Sequence, residues 1–190
     1  MKTKLLFLIL SFLTFAMQAQ DLVHFKLQQD GSFVAEDGKS YVVVEYEGMT
    51  AQELYSMVKS NVMSLYKSPK TVMSENEPTD LTIHALSSNI EEQSKFPYGF
   101  ISYDAYYNYV FHFRDGRIKV DAPVITKDLS VQTTGSPYSR TFADLVKGWF
   151  EKDGQVKKKK VDKVTKMETI FNTPINYLLK KSNDSQDDDW

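Results

Sequence analysis

The chain reads as an α+β protein, one antiparallel sheet backed by helices, on three observations. Residues 103 to 114 and 117 to 121 alternate apolar and polar side chains on either side of Asp115-Gly116, the preferred two-residue hairpin turn. Leu54, Val58, Val62 and Leu65 recur at a helical period. Two more helical stripes come only after the last strand, so strands and helices are segregated rather than alternating.

The N-terminus has its own logic. Lys2 and Lys4 precede an apolar run, Leu5 to Phe15, and Ala16-Met17-Gln18-Ala19-Gln20 follows. That is the layout of a secretory signal peptide, 1–19, with cleavage expected after Ala19. The run is short for a transmembrane helix. The protein is therefore expected outside the cytoplasm, periplasmic or secreted, with no stable membrane span after cleavage. Residues 20–39 form a lead-in that ends at the Asp37-Gly38 turn signal.

A single α+β domain is expected over 40–181, with a core at 40–125 and C-terminal helices after it. Tyr41 to Tyr46, rich in valine, is a strand ended by Gly48. Thr50 with Glu53 has the capping-box spacing and opens a helix at 51–67, stopped by Ser68-Pro69. Lys70 to Ser74 is a short strand candidate, and Leu81, Ile83 and Ala85 alternate with polar residues in a half-buried strand at 80–86. Residues 87 to 99 read as a loop.

The register of the hairpin can be derived. A two-residue loop at 115–116 sets Arg114 opposite Arg117, Phe113 opposite Ile118, His112 opposite Lys119, Phe111 opposite Val120 and Tyr109 opposite Ala122. Apolar then meets apolar on one face, and a slip by one residue would destroy the match.

Residues 123 to 140, rich in Thr, Ser, Pro and Gly, read as a loop with room for a short strand. Thr141 can cap a helix carrying Phe142, Leu145, Val146, Trp149 and Phe150. Val161, Val164, Met167, Ile170 and Phe171 form another stripe, which Pro174 is expected to interrupt, with Thr173 capping a last short helix. Residues 182–190 are an acidic tail, expected to be disordered.

The order β-α-β-β-β-β-α, the N-terminal signal, Gly48-Met49-Thr50-Ala51-Gln52-Glu53-Leu54-Tyr55 at the helix start and Phe113-Arg114-Asp115-Gly116-Arg117 at the hairpin resemble the domain of unknown function 4468 family. The resemblance covers roughly 40 to 125. It implies an exported bacterial protein with a TBP-like fold, and it brings no catalytic residues. A TBP-like fold does not imply nucleic-acid binding.

Composition narrows the chemistry. With 42% hydrophobic and 13% aromatic residues the chain can build a core. The formal charge of −2 becomes −4 without Lys2 and Lys4, which argues against nucleic acid as a partner. The absence of cysteine excludes disulfides, thiol catalysis, thiolate metal sites and lipid attachment at the cleavage site. Zinc-protease, nucleophile-elbow, Walker and dinucleotide-glycine patterns are also missing. His24, His84 and His112 stand singly and read as surface or strand residues; no metal or cofactor is expected.

The aromatic stripe at 103 to 113 reads as core against a helix. The opposite face of the hairpin would collect His112, Arg114, Arg117 and Lys119, with Asp121 close by and His84 joining from its own strand. Its plain reading is a solvated face; its functional reading is a locally basic surface for an anionic partner. Lys157 to Lys160 reads as a solvated loop or helix start. The expected function is an exported, non-enzymatic envelope binding or structural module. The alternative is a carrier of a small apolar ligand in a cavity between sheet and helices, and an exported hydrolase ranks below both.

Overall fold

The computed structural model describes residues 23–94, 100–126, 130–132 and 141–181; of 93, 94, 100, 101 and 130–132 only the backbone is described. The expected signal peptide, its cleavage point and the acidic tail lie outside the described residues.

Among the described residues, nine strands form two sheets. β1 (Phe25–Leu27) and β2 (Phe33–Ala35) are a hairpin of their own. The main sheet holds β3 (Tyr41–Glu45), β4 (Met73–Asn76), β5 (Asp80–Ser94), β6 (Phe100–Arg114) and β7 (Arg117–Asp121) in the order β3-β7-β6-β5-β4. β8 (Val124–Ile125) and β9 (Ser130–Gln132) also pair with β6. Every pairing is antiparallel. The helices are α1 (Ala51–Leu65), the single turn α2 (Pro69–Val72), α3 (Phe142–Lys147) and α4 (Val161–Leu178).

The hairpin has the register derived above: Phe111↔Val120, His112↔Lys119, Phe113↔Ile118 and Arg114↔Arg117. The ladder stops before Tyr109 and Ala122, because β7 ends at Asp121. Gly116 has φ 75°, the left-handed geometry that the turn demands and glycine supplies.

α1 starts as its sequence dictates. The Thr50 hydroxyl accepts the Glu53 N–H, and the Glu53 carboxylate accepts the Thr50 N–H at 2.7 Å. The hairpin turn is tied to the same point: Asp115 accepts the Ala51 N–H at 2.8 Å, and Gly116 N–H donates to the Met49 carbonyl at 2.7 Å. The two sequence stretches that carry the family resemblance therefore touch. Leu54, Tyr55, Val58 and Val62 bury against Phe111, Phe113, Ile118 and Val120, all nearly inaccessible, and the Tyr55 and Phe113 rings meet edge to face. Leu65, expected on the buried stripe, is exposed at the last turn.

α4 covers the rest of the same sheet face. Phe171 packs on Tyr107, and the Tyr109 hydroxyl donates to the Phe171 carbonyl at 2.8 Å. Lys163 at its start pairs with Glu91, which is almost fully buried.

Besides Leu65, four features differ from expectation. The lead-in is not a separate segment from Val23 onward: Phe25, Leu27, Phe33 and Ala35 are buried in the common core. Alternation over only three residues is too short to announce a strand. β5 runs through the expected loop to Ser94, with an irregularity between Ser87 and Glu91 that resets its phase against β6. The strand candidate at Lys70 begins at Met73, after the α2 turn that Pro69 opens. Pro174 lies inside α4 instead of ending it. An internal proline costs about 3 kcal/mol, but α4 is anchored on both sides of it, by Phe171 and Asn172 before and by Ile175, Asn176 and Leu178 after, all buried.

That anchoring includes an unusual ladder. The even-numbered residues of β1 face β2, and the odd-numbered ones face α4. The Asn176 side chain accepts the Val23 N–H at 2.9 Å and donates to the Val23 carbonyl at 2.7 Å. Asn172 does the same for Phe25, at 2.8 and 2.9 Å. Glu168 accepts the Leu27 N–H at 2.9 Å. Side chains of a helix thus stand in for a third strand, so the inner edge of the small sheet keeps its hydrogen bonds in a buried setting.

Candidate functional site

Helices cover one face of the main sheet, and the other face carries the residues singled out in the sequence. The register fixes this: His112 lies opposite Lys119 and Arg114 opposite Arg117, while Phe111, Phe113, Ile118 and Val120 point to the core. His84 joins the face through β5, opposite Asn108.

Their neighbours change the electrostatics. Asp80 from β5 approaches His112 Nδ1 at 2.5 Å, and Asp121 from β7 approaches His112 Nε2 at 3.0 Å. Lys119 pairs with Asp121 at 2.9 Å and lies 5.2 Å from the centre of the Tyr41 ring. Glu45 sits opposite Arg117. Three fixed positive charges, Arg114, Arg117 and Lys119, are thus matched by Glu45, Asp80 and Asp121. The expected locally basic face is a mixed one, because β3 and β5 deliver acids that only the strand order brings there. A hydrogen bond from the Thr79 hydroxyl, then one from His112, hold the Asp80 carboxyl below its usual range.

This cluster is not laid out for a metal. The two carboxylates bond opposite nitrogens of one ring, so the three groups point at each other instead of converging. No group of three His, Cys, Asp or Glu side chains that could hold a metal ion occurs among the described residues.

A second string of polar groups crosses the same face. Ser74 Oγ lies 3.1 Å from His84 Nε2, and His84 Nδ1 lies 2.8 Å from Asn108 Oδ1. The order is that of a nucleophile, a base and an orienting amide. Its surroundings are not those of a hydrolase site. Asn108 supplies no charge to stabilise an imidazolium, and His84 stands exposed on an open sheet face where water is not excluded.

Between these polar groups the face is apolar. Leu86 and Tyr106 are directly paired and exposed, Val124 flanks Asn108, and Tyr41 and Val43 are exposed on β3. At the Lys119–Asp121 end the face runs into an open cleft of about 780 Å³ between the β1–β2 turn, the start of β3 and the start of α3. Its walls combine aromatic residues, Phe33, Tyr41 and Phe142, with polar ones, Lys119, Asp121 and Ser40. The interface between sheet and helices, where the alternative reading would place an apolar carrier cavity, is filled by Tyr55, Tyr109, Phe111 and Phe171, each almost inaccessible.

The lysine run lies elsewhere. Lys158–Lys160 is a 3₁₀ turn before α4, and Lys157 donates to the Gly148 carbonyl at 3.0 Å. Sequence reasoning did not find Glu45, Asp80 and Ser74 as neighbours of the face. The signal was present only as their place in the strand alternation, and the strand order had to be known to use it.

The chain is similar to two solved structures. One is a TBP-like protein from Parabacteroides distasonis, 11% identical, with 74% of this chain and 92% of that chain covered and a TM-score of 0.46. The other is a DUF4468 family protein from Bacteroides ovatus, 10% identical, with 80% and 90% covered and a TM-score of 0.43. These carry the fold and family names to which the sequence resemblance points. No family model and no curated protein matches the chain.

Proposed function

We propose that the protein is an exported, non-enzymatic binding or structural module of the cell envelope, and that it meets its partner with the open face of the main sheet. The observation that carries this reading is the difference between the two sheet faces. One is a dry core under α1 and α4. Among the described residues, the other presents Leu86 and Val124 beside a charge-balanced cluster around His112 and Lys119, and it continues into the cleft at Tyr41. Apolar area rimmed by paired charges suits a protein or polymer surface better than a simple anion. Export is supported by the pattern of residues 1–20; no helix among the described residues is long and apolar enough to cross a membrane.

The test is capture from envelope extracts with the full chain, purified as the cell leaves it. Its N-terminus, read by mass spectrometry, is expected at or near Gln20. Arg117→Ala with Lys119→Ala should lower capture and leave the melting temperature nearly unchanged, since exposed charges contribute little to stability. Binding should weaken with salt. Unchanged capture would remove the face from the reading. Turnover of an ester or peptidoglycan probe, lost on a point substitution such as Ser74→Ala, would replace the module with an enzyme.

A further inference from the structure

The two edges of the main sheet are built differently. β4 is short and polar, with Ser74, Glu75 and Asn76, and Glu75 is tied up by Lys59 and Tyr55. Such an edge resists further pairing. β3 at the other edge is Tyr41-Val42-Val43-Val44-Glu45, β-branched, without proline, glycine or bulge. Its hydrogen bonds to β7 are made by the even-numbered residues: the Ala122 N–H donates to the Ser40 carbonyl and the Tyr46 N–H to the Gly116 carbonyl, both within the β3–β7 register. The N–H and C=O groups of Tyr41, Val43 and Glu45 therefore point away from the sheet, and among the described residues none has a backbone partner. The side chains of Tyr41 and Val43 are 36% and 42% exposed beside them.

We infer that β3 pairs antiparallel with β3 of a second copy of this chain, about a two-fold axis at Val43, joining two sheets into one. In that register Val43 faces Val43 of the other copy, and Tyr41 faces Glu45. All three outward residues fall in hydrogen-bonded pairs, giving about six backbone bonds, two for each such pair. The charges at the strand ends select this arrangement. Lys39 precedes β3, and Glu45 and Glu47 end and follow it. Antiparallel self-pairing sets Glu45 and Glu47 of each strand beside Tyr41 and Lys39 of the other, Lys39 being already held by Asp37 at 2.6 Å, whereas parallel pairing would set Glu45 beside Glu45. An isologous contact of this kind closes at two copies. It is small, so association is weak and concentration-dependent. The inference does not rest on the proposed open-face binding; it makes the open faces of two copies continuous.

Sedimentation equilibrium on the full chain, over about 1 μM to about 1 mM, reads the equilibrium directly. Wild type should shift from monomer to dimer across that range. Val43→Pro removes only an N–H that points outward, so the fold should persist by circular dichroism while self-association weakens about a hundredfold through the two lost bonds. Val43→Lys and Val43→Glu, each alone, should be monomeric by like-charge opposition at the axis, and an equal mixture should recover a dimer. A wild type that stays monomeric throughout, a dimer untouched by Val43→Pro, or a mixture that fails to recover would each overturn the inference. Association beyond the dimer would overturn the two-fold.

Discussion

Asn172→Ala tests the ladder that holds the N-terminal strand. Asn172 is 4% exposed and Phe25 fully buried. The substitution removes one acceptor and one donor from the Phe25 backbone, at 2.8 and 2.9 Å, and leaves both groups without a partner on that side. An orphaned buried polar group costs about 1–3 kcal/mol, so the pair amounts to about 2–6 kcal/mol. Domains of this kind carry about 5–15 kcal/mol in all, so the loss is a large share. It is bounded by local release: the chain escapes the penalty by undocking β1 and β2, which exposes Phe25, Leu27 and Phe33. Urea unfolding should show the destabilisation, and amide exchange at Phe25 should accelerate more than exchange at Ile118 in the hairpin. Glu168→Gln is the control, since an amide oxygen can still accept the Leu27 N–H; it loses the charge on that bond and the contact with His24, and should cost no more than about 1 kcal/mol. If Asn172→Ala costs no more than that control and Phe25 stays protected, the side-chain ladder contributes nothing and the strand is held by its apolar contacts alone.

Two further outcomes follow from the core and from an ion pair. Phe111→Ala should cost about 3–5 kcal/mol in urea unfolding, because the ring is fully buried between the sheet and α1; a cost under about 1 kcal/mol would contradict that packing. Lys59, at 2.5 Å, and the Tyr55 hydroxyl hold the Glu75 carboxyl below its ordinary value of 4.5. The folded state therefore binds this proton less readily than the unfolded one. The resulting stability is present above pH 4.5 and is lost as pH falls through the depressed value. Glu75→Gln should flatten the acid limb of a stability profile, and an unchanged slope would exclude Glu75 as its source.

The parts of the fold legible in the sequence are those set by short-range rules. Asp115-Gly116 with flanking alternation fixed the hairpin register, and Thr50 with Glu53 fixed the start of α1, because each rule acts within a few residues. The parts not legible depend on distant partners. β1 and β2 have only three residues each, and they exist because Asn172 and Asn176 wait on a helix about 150 positions away. Pro174 reads as a break until both flanks are seen to be buried. The candidate face was legible as a set of positions, since alternation places His112, Arg114, Arg117 and Lys119 together. Its charge was not, because Glu45 and Asp80 enter from strands whose order the sequence does not declare. Asn172 and Asn176 did leave a trace: two amides and Glu168 at four-residue intervals, each directly preceded by an apolar residue, Phe171, Ile175 and Met167.

The spacing of those three side chains sets a limit on the ladder itself. Four residues of helix advance about 6.0 Å, while two residues of strand advance about 6.6 Å. Each rung therefore falls about 0.6 Å further out of step, and the mismatch over two steps is about 1.2 Å. The rungs at Val23 and Phe25 use asparagine and make bonds in both directions. The rung at Leu27 uses glutamate, one methylene longer, which reaches across the drift but can only accept. A fourth rung would need a longer arm still. A helix and a strand are thus commensurate for about three contacts, and the three here span Val23 to Leu27, that is β1 and the two residues before it.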